Sequence, residues 1–206
     1  MESYMNRISN TGIVPVVKIL EKEDAYPLAK ALLNGGIDVI EVTYRSEHAT
    51  SAIQTISEQL PDMLVGAGTV LSVEQAKEAV EAGAKFIITP GFNTKVVQWC
   101  LDHDVEVYPG VSTASEVEMA LSMGLTQLKF FPAESSGGAK KLKDLSAPYA
   151  NVHFMPTGGI NTKNMHDYLS LPNVEAIGGS FMLPNDFVVA KDWKGIEALS
   201  KAAIKS

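Results

Sequence analysis

The chain has 206 residues, 46% of them hydrophobic, which suits one domain with a single large core. A formal net charge of −7 without a basic tract argues against nucleic-acid binding. The lone cysteine, Cys100, excludes an internal disulfide, and His48, His103, His153 and His166 fall in no metal-ligand spacing, so no metal and no cofactor are expected.

The segment Met1 to Asn10 is polar and lacks an apolar signal core. No apolar run approaches the roughly 20 residues that span a bilayer. A soluble, cytoplasmic protein with no membrane partner is the expectation.

Short β-rich runs alternate with helical patterns along nearly the whole chain. Strands are predicted near 13–18, 37–43, 63–70, 85–89, 105–109, 126–131, 152–157 and 174–179. Helices are predicted near 23–34, 48–59, 72–82, 94–103, 114–123, 138–147, 161–170 and 193–204. Ser72 with Gln75 three residues on reads as a helix start, and Asn161 as a second cap. Gly35, Gly83 and Gly124 fall where helices should stop. Eight β-then-α units predict an α/β fold, a (β/α)8 TIM barrel spanning 1–206 as one domain, with a short helical extension at the N-terminus. A doubly wound open sheet is the alternative. Gly66-Ala67-Gly68-Thr69 lacks the third glycine of a dinucleotide fingerprint and lies in the third unit rather than the first.

In a barrel the outward strand residues meet helices, while the C-terminal strand ends open onto the active site. Polar residues at those ends are therefore informative. In the second strand, Ile40 and Val42 are predicted to face helices, which turns Glu41 inward with Val39 and Thr43. By the same alternation Leu128 and Phe130 face out and Lys129 faces in. A buried ammonium group is costly unless it is paired or gives up its proton, and a neutral amine is a nucleophile that forms Schiff bases with carbonyls. A structural ion pair is the bland alternative; a nucleophile beside a general acid/base is the functional one.

Arg45, just past the second strand, offers a fork that suits a carboxylate or phosphate. At the end of the third strand, small residues allow close backbone approach and Thr69 adds a hydroxyl. Thr89-Pro90-Gly91 is a turn that could shape a pocket wall. The seventh and eighth strands end in Pro156-Thr157-Gly158-Gly159-Ile160 and Gly178-Gly179-Ser180, where barrels of this class often bind phosphate on bare N–H groups. Lys18, at the end of the first strand, is a weaker candidate for a carboxylate or structural contact, and Lys85 falls at the opposite end of the barrel.

The sequence resembles the 2-keto-3-deoxy-6-phosphogluconate aldolase family, whose members often also cleave 4-hydroxy-2-oxoglutarate. The resemblance runs from about Gly12 to the last helix. It is carried by Glu41-Val42-Thr43-Tyr44-Arg45, Gly66-Ala67-Gly68-Thr69-Val70, Thr89-Pro90-Gly91, Pro109-Gly110-Val111-Ser112-Thr113, Lys129-Phe130-Phe131-Pro132-Ala133-Glu134 and the two glycine motifs above. It implies Lys129 as the Schiff-base lysine and Glu41 as the acid/base. It implies Arg45 and Thr69 as carboxylate contacts, Pro90 and Phe131 as pocket walls, and Thr157 close to the reacting carbons. Gly158, Gly159, Gly179 and Ser180 would hold phosphate. The partners implied are a small phosphorylated keto acid and two further copies of the chain, as a homotrimer. Tyr44 and Ala114 depart from the family pattern, where an aliphatic residue and a proline are common; Tyr44 adjoins Arg45 and so bears on substrate preference. Cleavage of 4-hydroxy-2-oxoglutarate to pyruvate and glyoxylate as the main or second activity, a phosphosugar isomerase or epimerase, and a non-catalytic phosphosugar-binding protein are the competing functions.

Overall fold

A computed structural model describes residues 4–204; the other residues of the expected 1–206 domain, including the first three of the polar N-terminal segment, lie outside the described residues. The chain opens with helix α1 (Met5–Thr11), then strand β1 (Ile13–Val17), α2 (Ala25–Asn34), β2 (Val39–Thr43), α3 (Ala49–Gln59), β3 (Leu64–Gly68) and α4 (Val73–Glu81). It continues with β4 (Phe86–Ile88), α5 (Thr94–Asp102), β5 (Glu106–Tyr108), β6 (Gly110–Val111), α6 (Ala114–Ser122), β7 (Gln127–Phe130) and α7 (Gly138–Ser146). It ends with β8 (His153–Pro156), α8 (Met165–Leu169), β9 (Ile177–Gly179), α9 (Asn185–Val189) and α10 (Trp193–Ile204).

The strands curl into a parallel six-stranded sheet in the order β5-β4-β3-β2-β1-β9, beside a three-stranded sheet in the order β6-β7-β8. The predicted fifth strand at 105–109 is thus divided and extended. Pro109 separates its halves because proline has no N–H to donate to a ladder. Its carbonyl still accepts from Lys129 N at 3.0 Å, so the chain leaves β4 after Tyr108 and pairs with β7 from Gly110. Single parallel bridges, Phe154 with Val174 and Thr157 with Gly178, join the second sheet to the β9 segment.

Strand alternation sorts the apolar residues into two clusters. The outward cluster holds Ile40, Val42, Leu128, Phe130 and Phe154 with the helices' buried faces. The inner cluster holds Val14, Val39, Leu64, Phe86, Ile88, Tyr108 and Met155. The expected N-terminal helix is present as α1, and its Met5 and Ile8 close the bottom of the inner cluster. Asp38 holds α1 there, accepting from Arg7 Nε at 2.7 Å and Thr11 Oγ1 at 2.6 Å.

Three local expectations changed. Ser72 does cap α4, accepting from Gln75 N, but Asn161 does not cap α8. Its side chain accepts from Lys163 N at 2.9 Å and closes a turn, so α8 starts later and is shorter than predicted. Helix α9, only 5 residues long, falls between the predicted elements and has no counterpart among them.

Candidate active site

Strand β2 is buried along its whole length, so every side chain on it must be accommodated by a neighbour. Glu41 is 0% exposed. The space for its carboxylate comes from Gly68 on β3, where a Cβ would stand 1.9 Å from Glu41 Oε1. Lys129, 4% exposed on β7, enters from the three-stranded sheet. Its Nζ lies 3.4 Å from Glu41 Oε1 and 5.2 Å from the centre of the Phe131 ring. Both residues face inward, as strand alternation predicts, and the curl of the sheet brings them together.

This pair is a poor stability device. Desolvating two charges costs as much as their attraction returns, unless further hydrogen bonds satisfy them. Here Glu41 Oε2 is buried with no hydrogen-bond partner, and so is Thr157 Oγ1. Buried polar atoms are nearly always bonded, and a catalytic role is one reason for leaving one unbonded. The amine, the carboxylate and the Thr157 hydroxyl together supply a nucleophile, a proton carrier and a hydrogen-bonding group for a small carbonyl compound.

A direct test lies in Gly68. A Gly68→Ala variant is expected to push the Glu41 carboxylate away from Lys129 while keeping it in the protein. A misplacement of this kind lowers turnover about 100-fold. Steady-state kinetics checks it, and turnover near wild type would show that the position of Glu41 is unimportant.

The other predicted residues lie at or just past the C-terminal ends of the strands. Thr43 Oγ1 donates to Val17 O at 2.7 Å and accepts from Arg45 Nε at 3.0 Å. Bracing Arg45 through Nε leaves its two Nη groups to bind an anion. Thr69 has φ +55°, a left-handed conformation that is strained for a β-branched residue by about 1–3 kcal/mol and is typical of functional positions. Phe131 connects Lys129 to the glycine turn, since a Cβ on Gly158 would meet its ring at 3.4 Å. Gly158 and Gly159 have φ +105° and +81°, so the turn after β8 needs them. Thr157 bridges to Gly178, which puts the turns after β8 and β9 side by side.

Ser180, Arg45 and Lys18 line one cavity of about 220 Å3. Lys18 therefore shares a site with two stronger candidates, which its place at the end of β1 only hinted at. Lys85 is exposed at the start of β4, as expected for the opposite end. Pro90 borders a different groove, of about 740 Å3, with Val70, Leu71 and Phe92; its carbonyl lies against Gly110, and Thr89 Oγ1 donates to Gly91 O across the turn. Among the described residues no group of three or more His, Cys, Asp or Glu is placed to hold a metal ion. No helix among them is long and apolar enough to cross a membrane.

A buried lysine and glutamate toward the C-terminal ends of a curled parallel sheet, with glycine turns following the neighbouring strands, make a site suited to imine chemistry on small carbonyl compounds. The chain belongs to the KDPG and KHG aldolase family, whose profile matches residues 4–199. It is 44% identical over 205 residues to a 2-dehydro-3-deoxy-phosphogluconate aldolase of Treponema pallidum, covering 100% of this chain and 98% of that protein. It is 43% identical over 199 residues to a KHG/KDPG aldolase of Escherichia coli K12, covering 96% and 93%. Among solved structures, a KDPG aldolase from Legionella pneumophila superposes with a TM-score of 0.95 at 40% identity, covering 98% of this chain and 99% of that one. That crystal structure holds pyruvate captured at low pH as a covalent carbinolamine intermediate.

Proposed function

We propose that this chain is a class I aldolase that cleaves 2-keto-3-deoxy-6-phosphogluconate to pyruvate and glyceraldehyde 3-phosphate. The observation that carries the reading is the buried Lys129–Glu41 pair, 3.4 Å from Nζ to Oε1. The Lys129 amine attacks the C2 ketone to form a carbinolamine, and loss of water gives an imine. Glu41 carries the protons of these steps and takes the C4 hydroxyl proton. The C3–C4 bond then breaks, its electrons pass into the protonated imine as an enamine, and glyceraldehyde 3-phosphate leaves. Protonation of the enamine at C3 and hydrolysis release pyruvate and regenerate the amine.

Arg45 and Thr69 hold the substrate carboxylate, which fixes the reacting carbonyl against the amine. Thr157 bonds the oxygens near C2. Gly158, Gly159, Gly179 and Ser180 receive the phosphate at the far end, Phe131 walls the pocket, and Pro90 backs it through Gly110, the strand partner of Lys129. Two features support this division: the Nε bracing of Arg45 and the positive φ of the glycine turn.

The strands are read here as a full (β/α)8 barrel, with β5 and β6 as one strand interrupted at Pro109. The two single bridges to the β9 segment support that reading. A homotrimer is carried over by analogy with the family, and sedimentation equilibrium checks it. A phosphorylated substrate that does not cross membranes unaided fits a cytoplasmic location.

Borohydride reduction in the presence of pyruvate tests the chemistry. The expected result is a covalent adduct on the peptide carrying Lys129. An isomerase, an epimerase or a mere binding protein gives none. An active preparation with an unmodified Lys129 peptide rejects the assignment.

A further inference from the structure

The motif that carries Lys129 ends in Glu134, a charged residue with no part in the chemistry above. Its surroundings are specific. The backbone leaving β7 is zipped to the turn after β8, with Ala133 N donating to Thr157 O at 2.8 Å and Glu134 N to Gly158 O at 3.1 Å. The Glu134 side chain then lies across that turn. A Cβ on Gly159 would stand 2.6 Å from Glu134 Cγ and 2.8 Å from Glu134 Cβ, so only glycine lets the two segments approach this closely. The carboxylate is fixed at its far end, where Oε1 accepts from the hydroxyl of Tyr168 on α8. Tyr168 is 1% exposed and packed in the outward core.

We propose that Glu134, held by Tyr168, is a positioning residue that sets the 157–159 turn for the phosphate of the substrate. The inference rests on the aldolase reading and deepens it. Three elements meet at Glu134: the exit of the strand bearing the nucleophile, the glycine turn and the helix that follows the turn. A rigid join between them fixes the distance from the Lys129 amine to the anion site. That distance selects a substrate whose ketone and phosphate are separated by a set length of carbon chain.

A carboxylate beside an anion site would oppose phosphate by like-charge repulsion unless it were drawn aside. Tyr168 does this, taking Oε1 toward α8. Burial first, and then the bond to Glu134, hold the Tyr168 hydroxyl above its ordinary range, so it stays a donor at any working pH. The role is one of geometry, not of charge, and the two are separable. Glutamine keeps an acceptor oxygen for Tyr168 and drops the charge.

The test uses Glu134→Ala, Tyr168→Phe and Glu134→Gln, each read in two assays. One is cleavage of the phosphorylated substrate. The other is exchange of pyruvate methyl protons in D2O, which needs Lys129 and Glu41 but no phosphate. Losing a hydrogen bond to a charged group is expected to raise KM for the phosphorylated substrate about 10- to 150-fold in E134A and Y168F. Pyruvate exchange should stay within about twofold of wild type, because the loss is confined to the phosphate end. E134Q should restore a KM at or below the wild-type value. Glu134 is exposed, so E134A keeps the test intact even if Y168F folds poorly. Unchanged KM in E134A overturns the proposal. So does a parallel fall in pyruvate exchange, which would place the effect at Lys129, and so does an E134Q variant as weak as E134A. Wild-type protein inert in both assays overturns the aldolase reading and this inference with it.

Discussion

Lys129→Met should abolish cleavage and borohydride trapping together while the protein stays folded. Methionine is close in length and volume to the lysine stem, so the inner packing beside Phe131 and Met155 survives. The lost amine has no substitute at the site, because Lys18 and Lys85 are exposed at β1 and β4 rather than buried beside Glu41. The expected fall is at least about 10⁴-fold, the scale on which removal of a catalytic nucleophile is felt. A coupled assay for pyruvate release gives the number. Residual turnover within about 100-fold of wild type, on protein shown free of wild-type carry-over, would mean that the reaction does not pass through an imine on this residue.

The same variant separates function from stability. Removing one member of a buried pair strands the other charge and costs about 3–5 kcal/mol, whereas replacing both members by apolar residues is neutral or stabilising by about 1–4 kcal/mol. Lys129→Met alone should therefore lower the denaturation midpoint, and Lys129→Met combined with Glu41→Leu should recover it. A pair retained despite this arithmetic is there for chemistry. Its geometry says the same, since Glu41 Oε2 makes no hydrogen bond that would offset its desolvation.

What could be read from the sequence was what strand periodicity controls. Ile40 and Val42 on either side of Glu41, and Leu128 and Phe130 on either side of Lys129, leave one inward direction for each charged residue. Neither alternation could say that the two would stand 3.4 Å apart, because 88 residues of chain separate them and only the curl of the sheet brings them together. The Glu134–Tyr168 contact was invisible for the same reason: it joins residues 34 apart, one just past β7 and the other on α8, and neither segment's sequence refers to the other. Pro109, by contrast, carries a legible signal. A proline inside a predicted strand marks a change of partner, and the division between β5 and β6 falls at that residue. Asn161 failed as a cap because a helix-start signature does not distinguish the first turn of a helix from a tight turn placed before it.

Glu41→Gln should slow cleavage about 10²–10⁴-fold while leaving substrate affinity nearly unchanged. The amide fills the same volume against Gly68, so the pocket keeps its shape. Arg45 and the glycine turns hold the two ends of the substrate without it. What is lost is a single proton carrier that serves in both directions. It takes the C4 hydroxyl proton as the C3–C4 bond breaks and returns a proton to C3 of the enamine. An amide can do neither. Cleavage and pyruvate methyl exchange should therefore fall by similar factors, since both need proton transfer at C3 or C4, while borohydride trapping on Lys129 persists at a slower rate. Thr157 also has a buried, unbonded oxygen, but a hydroxyl is not a net base near neutral pH and cannot replace the carboxylate. If exchange survived at the wild-type rate while cleavage collapsed, Glu41 would serve only the C4 hydroxyl, and a second group would have to protonate the enamine.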